Sequence, residues 1–596
     1  MATVRFARLA ALALLVAGCG GAVASGDGAA PSSLSHRDRA AAAANPVTVS
    51  PLPGTPDASP TTQISFLGSG PLTVTGVRVV GSRSGSHSGH LEAYSTGDGA
   101  SFLVNGAFTA GEHVSVQATV NGALAQTSFE IAHQATVSQA EFPNNPGDPR
   151  AVQHYASAPA LTPSKVTITV PQRSGASPGD FLLAPYQGEG SPGPMIMDGG
   201  GNLVWFHPLP AGDSATNLQA VDYEGQPDLA FWQGRIIRVG YGEGEDLIYN
   251  DHYQQVAVVR AGNGYHADLH EIHITPQGTA WLDVFDPIDY DLAPEHGDSH
   301  GILLDSVIEE IDIRTGLVMW EWHALGHIAV RDSDNGVPRN AYPFDYIHIN
   351  SVDPGTSGDV LLSARNTWTL YDVNMRTGAF NWEIGPRPGD LSEGSGVRFY
   401  WQHDAQFEPG GLISVFDNGS TPPKEKQSRG LLLRPDFGSR SVSLVKAFTN
   451  PAHVLLASSQ GSLLPLPGGN WLMGYGGLPN FTEYSASGRV LFDATFGRNV
   501  QDFRTYFTPS WTGLPLDAPS IAVRPTSGGR VAVFASWNGA TDVASWRVLA
   551  DGTAVGTASR RGFETVIAVP AGSSSYEVQA LGSGGQVLGT SGPTSG

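Results

Sequence analysis

Cysteine is nearly missing from this chain. Cys19 is the only one in 596 residues, so no disulfide can form within it. Basic side chains are also scarce, with 33 Lys and Arg against 55 Asp and Glu, a net charge of −22. That balance argues against nucleic acid as a partner, because phosphate binding needs a basic face. Long amphipathic helical patterns do not occur. Neither does a phosphate-binding P-loop or a serine nucleophile elbow, and the missing P-loop argues against a nucleotide-type donor. No apolar run is long enough to span a bilayer. What is abundant is Gly (74) and Pro (42), the composition of many short strands joined by turns.

The chain is too long for one core, and its text divides. Arg5 and Arg8, the apolar run Ala10 to Ala17 and the sequence Val16-Ala17-Gly18-Cys19 read as a lipoprotein signal over 1–18. Cys19 would then be lipidated, leaving an exported protein anchored at the outer face of the bacterial cell membrane or in the periplasm. Residues 19–45 are rich in Gly, Ala and Ser and read as a flexible tether. Residues 46–140 alternate as an Ig-like β-sandwich with no evident chemistry, and 518–596 read as a fibronectin type III-like sandwich.

Between 150 and 515 two phrases recur. DGGGNLVWFH, DIRTGLVMWEW, DVNMRTGAFNWEIG and EYSASGRVLFDATF each carry a polar turn, a Gly and an apolar strand. PQGTAWLDVF, SGDVLLSAR, PGGLISVFD and PGGNWLMGYG each carry a strand after a Gly turn. Their alternation predicts an all-β propeller, at roughly 50 to 60 residues per blade six or seven blades.

Chemistry concentrates in LHEIHITPQGTAW (Leu269 to Trp281), FDYIHINSV (Phe344 to Val352), LLSARNTW (Leu361 to Trp368), WQHDAQF (Trp401 to Phe407) and VFDNGS (Val415 to Ser420). A single histidine at a strand end is usually structural. Here His270, His348 and His403, with Arg365, recur in successive blade-sized units. A planar guanidinium grips two oxygens of a tetrahedral anion. Imidazoles add hydrogen bonds, proton exchange and a nucleophilic nitrogen. Trp368, Trp401 and Tyr400 could line an apolar cleft for an aromatic ring.

In these motifs, taken in this order, the chain resembles the bacterial arylsulfotransferase family, in particular its lipoprotein-like branch, over about residues 150 to 515. The resemblance implies a six-bladed propeller that moves a sulfuryl group from a phenolic sulfate ester to a phenol. It implies a ping-pong route through a sulfohistidine, without 3′-phosphoadenosine phosphosulfate or another cofactor. His403 would be the nucleophile, and His348 and Arg365 would bind the sulfuryl oxygens. His270 would be the remaining donor or proton-transfer partner, with His273 the second choice. Asn350 and Trp401 and Trp368 would support substrate binding, and Asp417 would support the site. Enteric members carry a disulfide that this chain cannot form.

Two other readings stand beside this one. His266, Asp268, His270 and His273, with His296, Asp298 and His300 beyond, could hold a metal, the first three sharing a face if they lie on a strand. The propeller could instead be a surface-tethered binding module, in which case the arginine and the three histidines need not converge. His207, His323 and His327 read as blade-surface residues. No metal is expected in the site favoured here.

Overall fold

The computed structural model describes residues 47–595 apart from positions 341, 388 and 390. The expected leader, the tether and Cys19 lie outside them. The described chain is built of strands, with a few single-turn 3₁₀ segments. None of its helices is long and apolar enough to cross a membrane.

Six sheets of four or five strands, antiparallel except where the short strands Phe344–Asp345 and Ser392–Glu393 add in parallel, follow one another between Thr167 and Thr508 among the described residues, with Pro185–Tyr186 and Gln501–Asp502 forming a further two-stranded pair. Numbered in chain order, sheets two to six begin with Ser214–Tyr223, Ile272–Ile274, Ile349–Pro354, His403–Glu408 and Ser462–Pro465. Each first strand packs against the first strand of the next sheet, so these strands form an inner wall. Sheet one takes its inner strand from far downstream, because Tyr506–Thr508 pairs with Asp180–Leu183. Sheet six takes its outermost strand from upstream, because Thr167–Val170 pairs with Val490–Thr495. This is the closed, all-β propeller architecture that the two repeated phrases predicted, with edges consumed by the closure. The phrase with a Gly before an apolar strand is the outer hairpin, as at Asp312 to Gly316, where Gly316 has φ 71°. The other phrase is the hairpin from inner to second strand, as at Gly278 with φ 82°.

Before the ring, two four-stranded sheets between Thr48 and Glu130 pack face to face around Phe66, Val114, Val116 and Phe129. Strand His113–Val120 alternates exposed and buried at every residue, as a strand with one wet face must. After the ring, sheets of three and four strands enclose a core around Trp546, Val533 and Tyr576. The segment joining the first sandwich to the ring runs along sheets three and two, bridging Gln134 to Ile288 and Glu141 to Ile237.

The bore of the ring is closed by charge. Arg504 is 1% exposed and grips Glu271 with two hydrogen bonds, at 3.0 and 3.1 Å. Its guanidinium also donates to the Asn350 carbonyl at 2.8 Å and lies 3.2 Å from Asp404. Glu271, Asn350 and Asp404 come from sheets three, four and five, so one cation ties three inner strands together.

Candidate active site

Side chains at the start of an inner strand and at the end of the second strand meet at the same rim, because the two strands are antiparallel. His403 opens the inner strand of sheet five, and His348 immediately precedes that of sheet four. His270 stands two residues before that of sheet three. Arg365 follows the second strand of sheet four, whose last residue, Ala364, pairs with Ile349. Asn418 holds the equivalent place in sheet five, after Asp417.

His270, His348, His403 and Arg365 all line one cavity of about 440 Å³. The rings of His270 and His348 are 4.8 Å apart, and those of His348 and His403 are 6.5 Å apart. Phe503, Tyr186, Phe142 and Phe344 supply apolar wall. Phe142 comes from the segment that joins the first sandwich to the ring. Tyr342, half exposed, stands among the residues of the mouth.

Each imidazole is oriented through Nδ1. His270 Nδ1 pairs with Asp268, and His348 Nδ1 with Asp345 at 2.5 Å. His403 Nδ1 lies 2.7 Å from Asn418 Oδ1. The Asn418 amide nitrogen donates to the Gln460 carbonyl at 2.9 Å, which fixes its oxygen toward His403. The proton of His403 therefore sits on Nδ1, and Nε2 carries the lone pair. That lone pair accepts the Gln460 backbone N–H at 3.0 Å.

Burial pushes His403 well below the ordinary imidazole range, and the Arg365 charge and His348 push the same way. Burial also lowers His348, against the pull of Asp345. Burial lowers Arg365 too. Arg365 stacks 5.0 Å over the Trp401 ring and donates to Asn366 Oδ1 at 2.8 Å, which holds its fork in the cavity wall. Backbone φ is positive at His348 (54°), Trp401 (57°), Trp368 (53°) and Gln460 (63°). Non-glycine residues held there cluster at functional sites, where the surrounding structure over-determines them.

Three expected substrate contacts lie elsewhere. Asn350 is fully buried in the inner wall, its amide donating to the Gln402 carbonyl at 2.8 Å. Trp401 is 4% exposed, with one face under Arg365 and an edge on Trp368 5.1 Å away. Neither tryptophan lines the cavity. Asp417 accepts the Tyr400 N–H and two bonds from Arg429, a packing role. His273 is half-buried on the far side of the Arg504 closure, in a smaller cavity of about 280 Å³ with Asp353 and Tyr506.

The metal reading of the His266 segment fails on local structure. Residues 266 to 270 form no strand, and His266 is exposed while Asp268 and His270 are buried. Asp268, His270 and Asp283 do approach closely. However, both Asp268 oxygens are taken, one by the Gly242 N–H and the other by the His270 N–H and ring. Asp268 is a positioning carboxylate in this arrangement. Asp345, Asn418 and Gln460 were not singled out from sequence. Asp345 and Asn418 lie inside or beside quoted motifs, and Gln460 is joined to them only by the fold.

The model of the arylsulfotransferase (ASST) family matches residues 219–497. This part of the chain belongs to the arylsulfotransferase family. The matched segment holds all four converging side chains, together with Asp268, Asp345, Asn418 and Gln460. No curated protein matches the chain. Among solved structures, a protein of unknown function from Bacteroides caccae is 14% identical, covering 55% of this chain and 98% of its own, with a TM-score of 0.34. The virginiamycin B lyase of Staphylococcus aureus is 9% identical, covering 62% and 96%, TM-score 0.28. An auxiliary nutrient binding protein from Bacteroides ovatus is 11% identical, covering 76% and 90%, TM-score 0.27.

Proposed function

We propose that the ring transfers a sulfuryl group from a phenolic sulfate ester to a phenol, in two half-reactions through sulfated His403. The observation that carries this reading is the meeting of Arg365 with three imidazoles, each oriented through Nδ1, on one cavity large enough for an aryl ring.

His403 is kept neutral, with its lone pair on Nε2, the form that attacks sulfur. The N–S bond forms as the bond from sulfur to the aryl oxygen breaks, and the phenoxide takes a proton from His270. The acceptor phenol then returns a proton to His270, its oxygen bonds to sulfur, and the electron pair of the N–S bond goes back to Nε2. Arg365 holds the sulfuryl oxygens. An anion entering the cavity opposes the charges that depress His348, so with Asp345 behind it this imidazole gains a proton and donates from Nε2. As in phosphoryl transfer, the protein's contribution is positioning and charge stabilisation.

The test is release of a chromogenic phenol from its sulfate ester, with a second phenol as acceptor. Arg365→Ala should lower kcat/KM by roughly 10²–10³, and Arg365→Lys should recover little of it. His403→Ala should abolish transfer, and a trapped peptide containing His403 should carry the added sulfuryl mass. Full turnover by His403→Ala would remove the reading. Export and lipid anchoring through Cys19 form part of the proposal, and Cys19→Ser should move the protein out of the membrane fraction.

A further inference from the structure

Away from the cavity, the first sandwich meets sheet three of the ring across a buried acidic cluster. His323, read from sequence as a surface residue, is 2% exposed at its centre. The strand Leu317–His323 is buried at all seven positions because the sandwich covers the face that a lone blade would expose. Asp57 comes from the sandwich and is 2% exposed, and Asp305 from the ring is fully buried. Asp305 faces Asp286 directly across the strand pair, and Glu309 faces Glu321. Like charges placed so repel unless something positive sits among them.

The hydrogen bonds show where the positive charge is needed. His323 Nε2 meets Glu321 Oε1 at 3.0 Å. Its Nδ1 lies 3.1 Å from Asp57 Oδ1 and 3.6 Å from Asp305 Oδ2, close enough to pair with both but poorly aligned for a hydrogen bond to either. Neither oxygen of Asp57 has a hydrogen-bond partner, and neither has Asp305 Oδ2 or Asp286 Oδ2. Asp57, Asp305 and His323 converge on one point. Ligands about 2.1 Å from a metal stand roughly 3.0–3.4 Å apart; the His323–Asp57 separation lies in that range, the His323–Asp305 separation is slightly wider, and one atom from each of the three side chains lies within 4.8 Å of the others. The remaining Asp305 oxygen is held by the Tyr346 hydroxyl at 3.1 Å and the Leu325 N–H at 2.9 Å, so the carboxylate is fixed with Oδ2 turned inward.

We propose that Asp57, Asp305 and His323 Nδ1 bind a divalent transition-metal ion, Zn²⁺ or Mn²⁺, that fastens the first sandwich to sheet three of the ring. The mixed nitrogen and carboxylate donor set suits such an ion better than Ca²⁺, which takes oxygen alone. Glu321 supplies the outer partner that a metal-bound imidazole requires on its other nitrogen. The ion is structural, since the site is buried and apart from the cavity that holds His403.

The test uses the full chain without a histidine tag, stripped with chelator and then given Zn²⁺ or Mn²⁺ alone. The expected result is uptake of about one ion per chain by elemental analysis and a rise of several degrees in the unfolding midpoint. Asp57→Asn and His323→Gln should lose this response, and His270→Ala, at the other histidine–carboxylate cluster, should keep it. If a variant does not fold, the stripped wild type still decides. No uptake and no shift with either metal, as expected of a cluster neutralised by protons alone, overturns the proposal. So does a response lost in His270→Ala but kept in Asp57→Asn.

Discussion

The backbone N–H of Gln460 donates to Nε2 of His403 at 3.0 Å. It therefore occupies the lone pair that would attack sulfur, and it must let go when the N–S bond forms. Gln460 is held at φ 63° by sheet six, so the amide stays in place after release. It can then donate to an oxygen of the group now on Nε2. In the proposed reaction the same N–H would thus fix the tautomer at rest and stabilise charge during transfer.

The partner on the other side of that ring is testable. Asn418→Ala removes the nearer acceptor of the Nδ1 proton, 2.7 Å away, and leaves only the Trp401 carbonyl at 3.1 Å. Outer partners of this kind are worth about 10–100-fold. The expected outcome is that loss in kcat with KM for the ester little changed. A change confined to KM would assign Asn418 to ester binding instead.

Asp345 pairs with His348 alone, since its Oδ1 has no hydrogen-bond partner and Oδ2 meets Nδ1. Asp345 raises the His348 pKa against burial. In Asp345→Asn that support is gone, so the imidazolium proposed to bind sulfuryl oxygens would form only at lower pH. The profile of kcat/KM against pH should shift to the acid side, and activity should be partly regained there. An unchanged profile would exclude a protonated His348 from ester binding.

The closure of the bore should show in stability. Breaking a buried ion pair from one side leaves a charge unpaired and costs about 3–5 kcal/mol. Glu271→Gln, which leaves Arg504 with Asp404 as its one remaining carboxylate beside the Asn350 carbonyl and the Tyr506 hydroxyl, is expected to fall in this range by urea unfolding. Replacing both, as Glu271→Leu with Arg504→Met, should cost less than the single change.

Asp502 carries a pH signature of its own. Burial lifts its carboxyl from 3.8 to about 7, although the Ala184 N–H and the Thr505 hydroxyl bond to it. Between those two values the folded chain keeps a proton that the unfolded chain has lost. The contribution of Asp502 therefore falls as pH rises from about 4 to about 7, and is constant above. The unfolding midpoint of Asp502→Asn in a thermal scan should decline less than that of wild type between about pH 5 and about pH 8.

Much of the ring was legible because its hairpins repeat. Gly278 and Gly316 mark turns whose positive φ only certain residues accept, and the strands between them have the right length. The three histidines and Arg365 were legible for a related reason, since each interrupts a strand at its end. Their partners were not. Gln460 reaches His403 across 57 residues, and local pattern carries no trace of such a pairing. Trp401 misled because an aromatic beside a candidate nucleophile suggests a ring-binding wall, whereas Arg365 covers its face. His323 misled because strand alternation assumes one wet face, and the first sandwich covers it.

Arg504 lies later in the chain than every side chain that lines the cavity, and Tyr506–Thr508 supplies the strand that seals sheet one. During synthesis the ring cannot shut until the ribosome has passed these residues. A product truncated before Arg504 would carry all three imidazoles and Arg365, yet it would have no common floor beneath them.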